Sequence, residues 1–172
     1  MTQNAASVSS GIVRIEIRRA DQASPEDVRR FLVDAWHGET VVGHGETMAP
    51  AEMPGFVAVE GGRIVGHASY RTAGKSCELV SIAAQPRLSG VGSRLLDAII
   101  EAARAAGCGA VWLTTTNDNL DALRFYQRRG FRLVRLRPDA VDEARASLKP
   151  EIPLIGSYGI PMRDELDLER EL

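Results

Sequence analysis

Cysteine and aromatic residues are both scarce: two cysteines, Cys77 and Cys108, and 5% Phe, Trp and Tyr across 172 residues. The cysteines lack the spacing of a metal site and are read as reduced structural thiols, as suits a cytoplasmic protein. The three histidines, His37, His44 and His67, form no zinc motif, so no metal is expected. Charge of one sign does not dominate either. A formal net charge of −2 gives no ground for a nucleic acid as partner. No apolar run approaches the length that spans a membrane, so no membrane partner is expected. The opening MTQNAASVSSG has neither a basic start nor an apolar stretch, which excludes a signal peptide and leaves residues 1–11 as a flexible tail. What is there is an ordinary soluble composition, 44% hydrophobic and 26% charged. The chain is long enough for one domain with a core, over residues 12–172.

IVRIEIRR (12–19) alternates apolar and polar residues and predicts a strand. SPEDVRRFLVDAW opens a helix: Ser24 suits the N-cap, Pro25 the first helical position, and Val28, Phe31, Leu32, Ala35 and Trp36 recur at helical spacing. Residues 37–54 carry Gly and Pro without a clear period and are read as a loop with room for a short helix. FVAVE and RIVGHASYR flank Gly61 and Gly62, a hairpin signal. CELVSIAAQ is the next strand, ended by Pro86, which cannot donate to a ladder. A helix follows, with Val91, Leu95, Leu96, Ile99, Ile100 and Ala103 on one face and Gly107 closing it. AVWLTTT reads as a strand, LDALRFYQRR as a helix, FRLVRLR as a strand and DAVDEARASL as a short helix. KPEIPLIGSYGIP is a loop, and RDELDLEREL a last strand whose charge leaves helix open. The order β-α-β-β-β-α-β-α-β-α-β fits an α/β chain with one mixed sheet and helices on its faces.

PRLSGVGSRLLDAIIEAARAAG (86–107) sets two glycines at a strand-to-helix turn. The first-turn N–H groups of a helix lack partners and carry partial positive charge, which suits a phosphate. Gly90 and Gly92 remove Cβ atoms that would block close approach, and Arg87 and Arg94 add positive charge. A tight turn that needs glycine for its dihedrals explains the same residues equally well. A Walker loop is excluded by the missing G-K-[ST], and a dinucleotide fingerprint by Leu95 where its third glycine would stand.

RLSGVG (87–92) resembles the R/Q-x-x-G-x-G/A pyrophosphate motif of the GNAT superfamily of N-acetyltransferases. VSIAAQP before it resembles that family's fourth strand, and NLDALRFYQRRGF (119–131) is similar to its N-x-x-A-x-x-[FL]-Y-x-x-x-G-F pattern. The motifs stand in the family's order, one helix and one strand apart. Departures are Ala84, where valine is common, and Ser89, where arginine or glycine is. The resemblance implies a mostly antiparallel sheet, acetyl-CoA as acyl donor, and an amine acceptor, small molecule or peptide. It implies that the pyrophosphate of coenzyme A lies against Arg87, Leu88, Ser89, Gly90, Val91, Gly92 and Ser93. The pantetheine arm would pair with backbone at Ile82, Ala83 and Ala84 between two splayed strands, with Asn119 in contact. Asn117 is placed to line the same cleft.

Acetyl transfer needs a neutral nitrogen from an ammonium of pKa about 10.4, a donor at the carbonyl, and a proton for the leaving thiolate. Tyr126 matches the motif tyrosine, which implies that it protonates the thiolate; a core aromatic is the other reading. Glu78 shares strand parity with Val80, Ile82 and Ala84 and is expected on their face, as a base or as a solvated carboxylate. His67 and His44 are alternative bases. His37, His44 and Tyr158 are expected to bind the acceptor, whereas Trp36 and Phe125 fit core stripes. The long 138–162 connection is assigned to the acceptor site or to a homodimer contact. A non-catalytic acyl-CoA-binding module stays open beside the enzyme.

Overall fold

The computed structural model of the protein describes residues 14–36, 38–86 and 90–172. The tail at 1–11, His37, and the loop residues Arg87, Leu88 and Ser89 lie outside them. In chain order the elements are β1 (Glu16–Arg19), α1 (Pro25–Trp36), β2 (Val41–Gly43), β3 (Glu46–Met48), β4 (Gly55–Glu60), β5 (Arg63–Ala73) and β6 (Ser76–Ala84). Then come α2 (Val91–Ala105), β7 (Ala110–Thr116), α3 (Leu120–Gln127), β8 (Arg132–Arg137), α4 (Ala140–Ser147) and β9 (Glu165–Glu171). Seven strands form one mixed sheet in the order β1-β4-β5-β6-β7-β9-β8. Every pair in it is antiparallel except β6–β7.

The helical stripes read from the sequence decide which face of the sheet each helix covers. In α2, Val91, Leu95, Leu96, Ile99, Ile100 and Ala103 are all buried. They pack on Ala58, Ala68, Cys77, Leu79, Val111, Leu113 and Leu168, and Tyr126 of α3 and Phe131 join the same cluster. On the opposite face Val28, Phe31 and Leu32 of α1 meet Val57 and Ala83. Each fully buried Leu, Ile or Phe contributes roughly 1.5–3 kcal/mol. Both cysteines are free and buried, and burial pushes the Cys77 thiol up to about 12.

One reading is corrected, and one left open between strand and helix is decided. The stretch after α1 is a hairpin, β2 and β3, followed by a short 3-10 turn at Pro50–Glu52. Three-residue strands are too short to show alternation. The turn residues His44 and Gly45 both have positive φ, 54° and 72°, the pattern of a type I′ turn. That position favours Asn, Asp or Gly, so the His-Gly pair hides the signal. The charged C-terminal run is a strand, β9, inserted between β7 and β8, so helix is excluded.

Candidate active site

β6 and β7 pair only at Ser76–Ala110, Cys77–Val111 and Glu78–Trp112. Beyond that foot the strands part: β6 runs on to Ala84 and β7 to Thr116 with no pairing between them. The backbone of β6 from Leu79 onward is therefore an open edge on that side. The register with β5 shifts between Tyr70–Leu79 and Ser69–Ser81, leaving Val80 as an extra residue, a β-bulge. The bulge overturns the simple parity expected for Glu78. Glu78 shares the α1 face with Ser81 and Ala83, while Ile82 and Ala84 pack on the α2 side.

The gap between β6 and β7 opens into a cleft of about 950 Å³. Its walls come from four elements: Trp36 of α1, Ile82, Ala83 and Ala84 of β6, Gly90, Gly92 and Ser93 at the start of α2, and Asn119, Phe125 and Tyr126 at α3. Most of the residues expected around coenzyme A thus converge. The two glycines divide the two explanations of their loop. Gly90 caps α2 with φ of 83°, so its need is conformational. Gly92 has no such φ, and a Cβ there would stand 3.6 Å from Phe125 Cζ, at ordinary contact distance, so neither backbone nor packing requires a glycine in this part of the cleft wall. Val91 is buried under α2 and serves the core. Asn119 caps α3 by accepting from Ala122 N at 3.3 Å, while also lining the cleft. Trp36 and Phe125, read as core, are half-buried and face the cleft as well. Arg129 stacks over the Phe125 ring at 3.7 Å.

Tyr126 is 5% exposed, between Phe125 and Phe131 at 5.1 and 5.5 Å. Burial pushes its hydroxyl above the ordinary phenol value, so it remains protonated at neutral pH. It belongs to the α2 side of the sheet. Glu78, 5% exposed, stands at the foot of the gap on the other side. Its Oε2 accepts from Arg71 Nε, and Arg71 Nη1 also donates to Glu46 of β3 at 2.8 Å.

His44 lies on that same α1 face. Its Nε2 sits 3.0 Å from Asp167 Oδ1 and 2.5 Å from Thr114 Oγ1, and its ring lies 4.9 Å from Trp112. Thr114 donates to Asp167 Oδ1 at 2.8 Å, and Arg137 donates to Oδ2 at 3.1 Å. Burial works to raise the Asp167 pKa, but the bonds from Thr114 and Arg137 and the charges of His44 and Arg137 outweigh it, so the carboxyl is held below its ordinary range. Glu165, also buried, accepts from His44 N at 3.3 Å. The sequence reading missed Asp167, Glu165 and Thr114. Leu166 and Leu168 alternating with the acids in RDELDLEREL mark a strand with one apolar face, and nothing in that pattern shows that the acidic face is covered too.

Other expected residues are not brought to the cleft. Asn117 binds the C-terminal loop: Nδ2 donates to Pro161 O, and Oδ1 accepts from Arg163 N and Asp164 N, all within 2.9–3.0 Å. Tyr158 is 67% exposed in the turn Ser157–Gly159. That turn is tied down by Asp118, a buried carboxylate accepting from Thr116 Oγ1 and Ser157 N. His67 is fully buried beside Val57 and Ala83 beneath α1, and its pKa is lowered to about 4, so it stays neutral there.

A mixed sheet parted after one parallel pair, a glycine-opened helix start and a buried tyrosine beside the gap define an acyl-CoA-type transferase architecture. The chain belongs to the Acetyltransferase (GNAT) family, whose model matches residues 10–131. The uncharacterized protein YdhI of Bacillus subtilis (strain 168) is 44% identical over 116 residues, 67% of this chain and 72% of that protein. Among solved structures, an IAA acetyltransferase from Bacillus cereus ATCC 14579 superposes with a TM-score of 0.69 at 23% identity, covering 92% of this chain and all 100% of its own. A Bacillus subtilis acetyltransferase in complex with CoA superposes at 0.66 with 22% identity, covering 92% and 99%. At these identities the two structures speak for the fold.

Proposed function

We propose that this protein moves an acetyl group from acetyl-CoA to a primary amine by direct attack. The observation that carries the reading is the gap between β6 and β7, closed at the Glu78–Trp112 foot and open onto the cleft that reaches Gly90 and Gly92. The unpaired edge of β6 at Ile82–Ala84 suits the amides of a pantetheine arm, as an added strand would. The first turn of α2 suits a pyrophosphate, and the absent Cβ of Gly92 leaves room for it. Bound there, acetyl-CoA supplies an activated acyl group.

The chain's own groups then divide by face. Tyr126, protonated and on the α2 side, is the general acid for the departing sulfur. Glu78 and His44 stand on the α1 side, where an acceptor amine would approach between the hairpin and the sheet. The buried acids Glu78, Glu165 and Asp167 favour a cationic acceptor there. A peptide amine, including a protein N-terminus, fits as well as a small amine.

Two measurements test this. A panel of primary amines with acetyl-CoA, read by thiol release, should give turnover. Gly92→Glu sets bulk and negative charge at the phosphate site without steric conflict in the fold. It should abolish coenzyme A binding by calorimetry while circular dichroism stays native. Unchanged affinity would remove the site, and tight binding without turnover of any amine would favour a non-catalytic module.

A further inference from the structure

We propose that His44, oriented by Asp167, is the group that takes the proton from the acceptor's ammonium, through Nδ1. The assignment rests on the acetyl-transfer reading. Three observations carry it. First, the tautomer follows from the partners. Asp167 is an acceptor only, and its Oδ1 stands 3.0 Å from His44 Nε2. A lone pair on Nε2 would face a carboxylate, so Nε2 carries the hydrogen and Nδ1 the lone pair. Thr114 Oγ1 spends its own proton on the same Oδ1 at 2.8 Å, which leaves its oxygen to share the Nε2–H. The ring bonds of His44 to described residues, to Thr114 and Asp167, both run through Nε2.

Second, the ring is at the right place. Thr114 is two residues past Trp112, the last β7 residue paired with β6, so it lies on the parted section of β7. His44 touches both residues from the α1 face, across the gap from Tyr126. Third, the side chain is held at a positive φ, a region uncommon for residues other than glycine. At φ of 54° in a His-Gly type I′ turn, Asn or Gly would fit better. Non-glycine residues held in this region cluster at functional sites. Glu78, the other candidate, has Oε2 committed to Arg71.

The protons balance. His44 Nδ1 takes one ammonium proton and later passes it to water. The freed nitrogen lone pair forms the N–C bond as the C–S bond breaks, and sulfur takes the Tyr126 proton. The nitrogen's second proton restores the Tyr126 hydroxyl, leaving an amide, a free thiol and one proton in solution. The charged groups facing the ring are Asp167 and Glu165 from β9, Arg137 from β8 behind Asp167, and Glu46 from its own hairpin.

The test has two arms. Long-range 1H–15N correlation spectra of the full chain, with His44→Asn used for assignment, should show His44 protonated at Nε2 when neutral. Asp167→Asn should erase that preference. Nδ1–H at His44 in the wild type overturns the proposal by itself. In the second arm an amine from the thiol-release panel is used. His44→Asn keeps the turn, and should bind acetyl-CoA normally, lose about 10²–10⁴ in kcat and lose the acidic limb of kcat/KM against pH. Glu78→Gln should keep that limb at a reduced rate; the reverse pattern makes Glu78 the base and overturns the assignment. Acetyl-CoA binding with no amine turned over overturns the acetyl-transfer reading and the proton role together.

Discussion

His67 has no exposure, and neither ring nitrogen has a hydrogen-bond partner among the described residues. Desolvation lowers its pKa from 6.5 to about 4, so the folded state resists a proton that the unfolded chain accepts. Stability should therefore be full above the unfolded value and fall as the pH drops from 6.5 toward 4. Between about pH 7 and pH 5 this one ring should cost about 2 kcal/mol. His67→Leu should flatten that part of the profile; urea titrations at both values check it, and an unchanged slope would mean another group titrates. Burial favours the neutral form of Tyr126 in the same way, and for a phenol the neutral form is the protonated donor. Tyr126→Phe should lower kcat by about 10²–10⁴ and leave the KM for acetyl-CoA nearly as it was, as steady-state kinetics will tell. The place of Tyr126 in the cleft wall was legible because a motif surrounds it. Asp167 and Asp118 were not, because an acid in a charge-rich run or a polar turn looks solvated until a neighbouring strand or loop is laid over it.

Among the elements, the long periodic ones were readable and the short or irregular ones were not. α2 announces itself through six buried positions at helical spacing. The β2–β3 hairpin has three residues per strand and an unusual turn pair, so nothing periodic survives in it. The bulge at Val80 leaves no trace in composition, yet it decides which way Glu78 faces. Glu78 there depends on Arg71, which also ties the hairpin to the sheet. Arg71→Met should leave a buried carboxylate unpaired and cost about 1–3 kcal/mol, and adding Glu78→Gln should recover most of it. A double-mutant cycle by denaturation measures the recovery; simple additivity would mean the pair stabilises nothing. At the start of α3, Asn119→Ala removes the cap to Ala122 N and should cost about 1 kcal/mol, read in the same titrations.

At the scale of the molecule, strand order was legible only in outline. The sequence reading placed strands and helices in turn, but that β6 and β7 part after one short ladder belongs to the three-dimensional twist and the bulge. The same holds for the long connection after β8. It is not slack: α4 occupies its start, Arg145 donates to Ile152 O, Pro153 O and Met162 O, and Asp118 grips Ser157 N. Asp118→Ala should release the turn at Ser157–Gly159, costing about 1–3 kcal/mol and opening the exposed Leu154 and Tyr158 to chymotrypsin. Cleavage rates on the folded chain are the measure, and a mutant cut no faster than wild type would assign the anchoring to Arg145 alone.

The position of β9 between β7 and β8 has a consequence for how the chain is made. β8 leaves the ribosome before β9, yet it pairs with nothing else in the sheet. Until Glu165–Glu171 has emerged, β7 presents a bare edge and β8 has no partner strand. Helix-covered strands up to β6 can settle as they appear, but the half of the sheet that carries Thr114, Asp167 and Arg137 can close only after the last strand threads between two earlier ones. Among the described elements that half of the sheet is then the last to close, and a chain stalled before Glu165 leaves the β7 edge unpaired, the kind of bare edge that invites pairing with another chain.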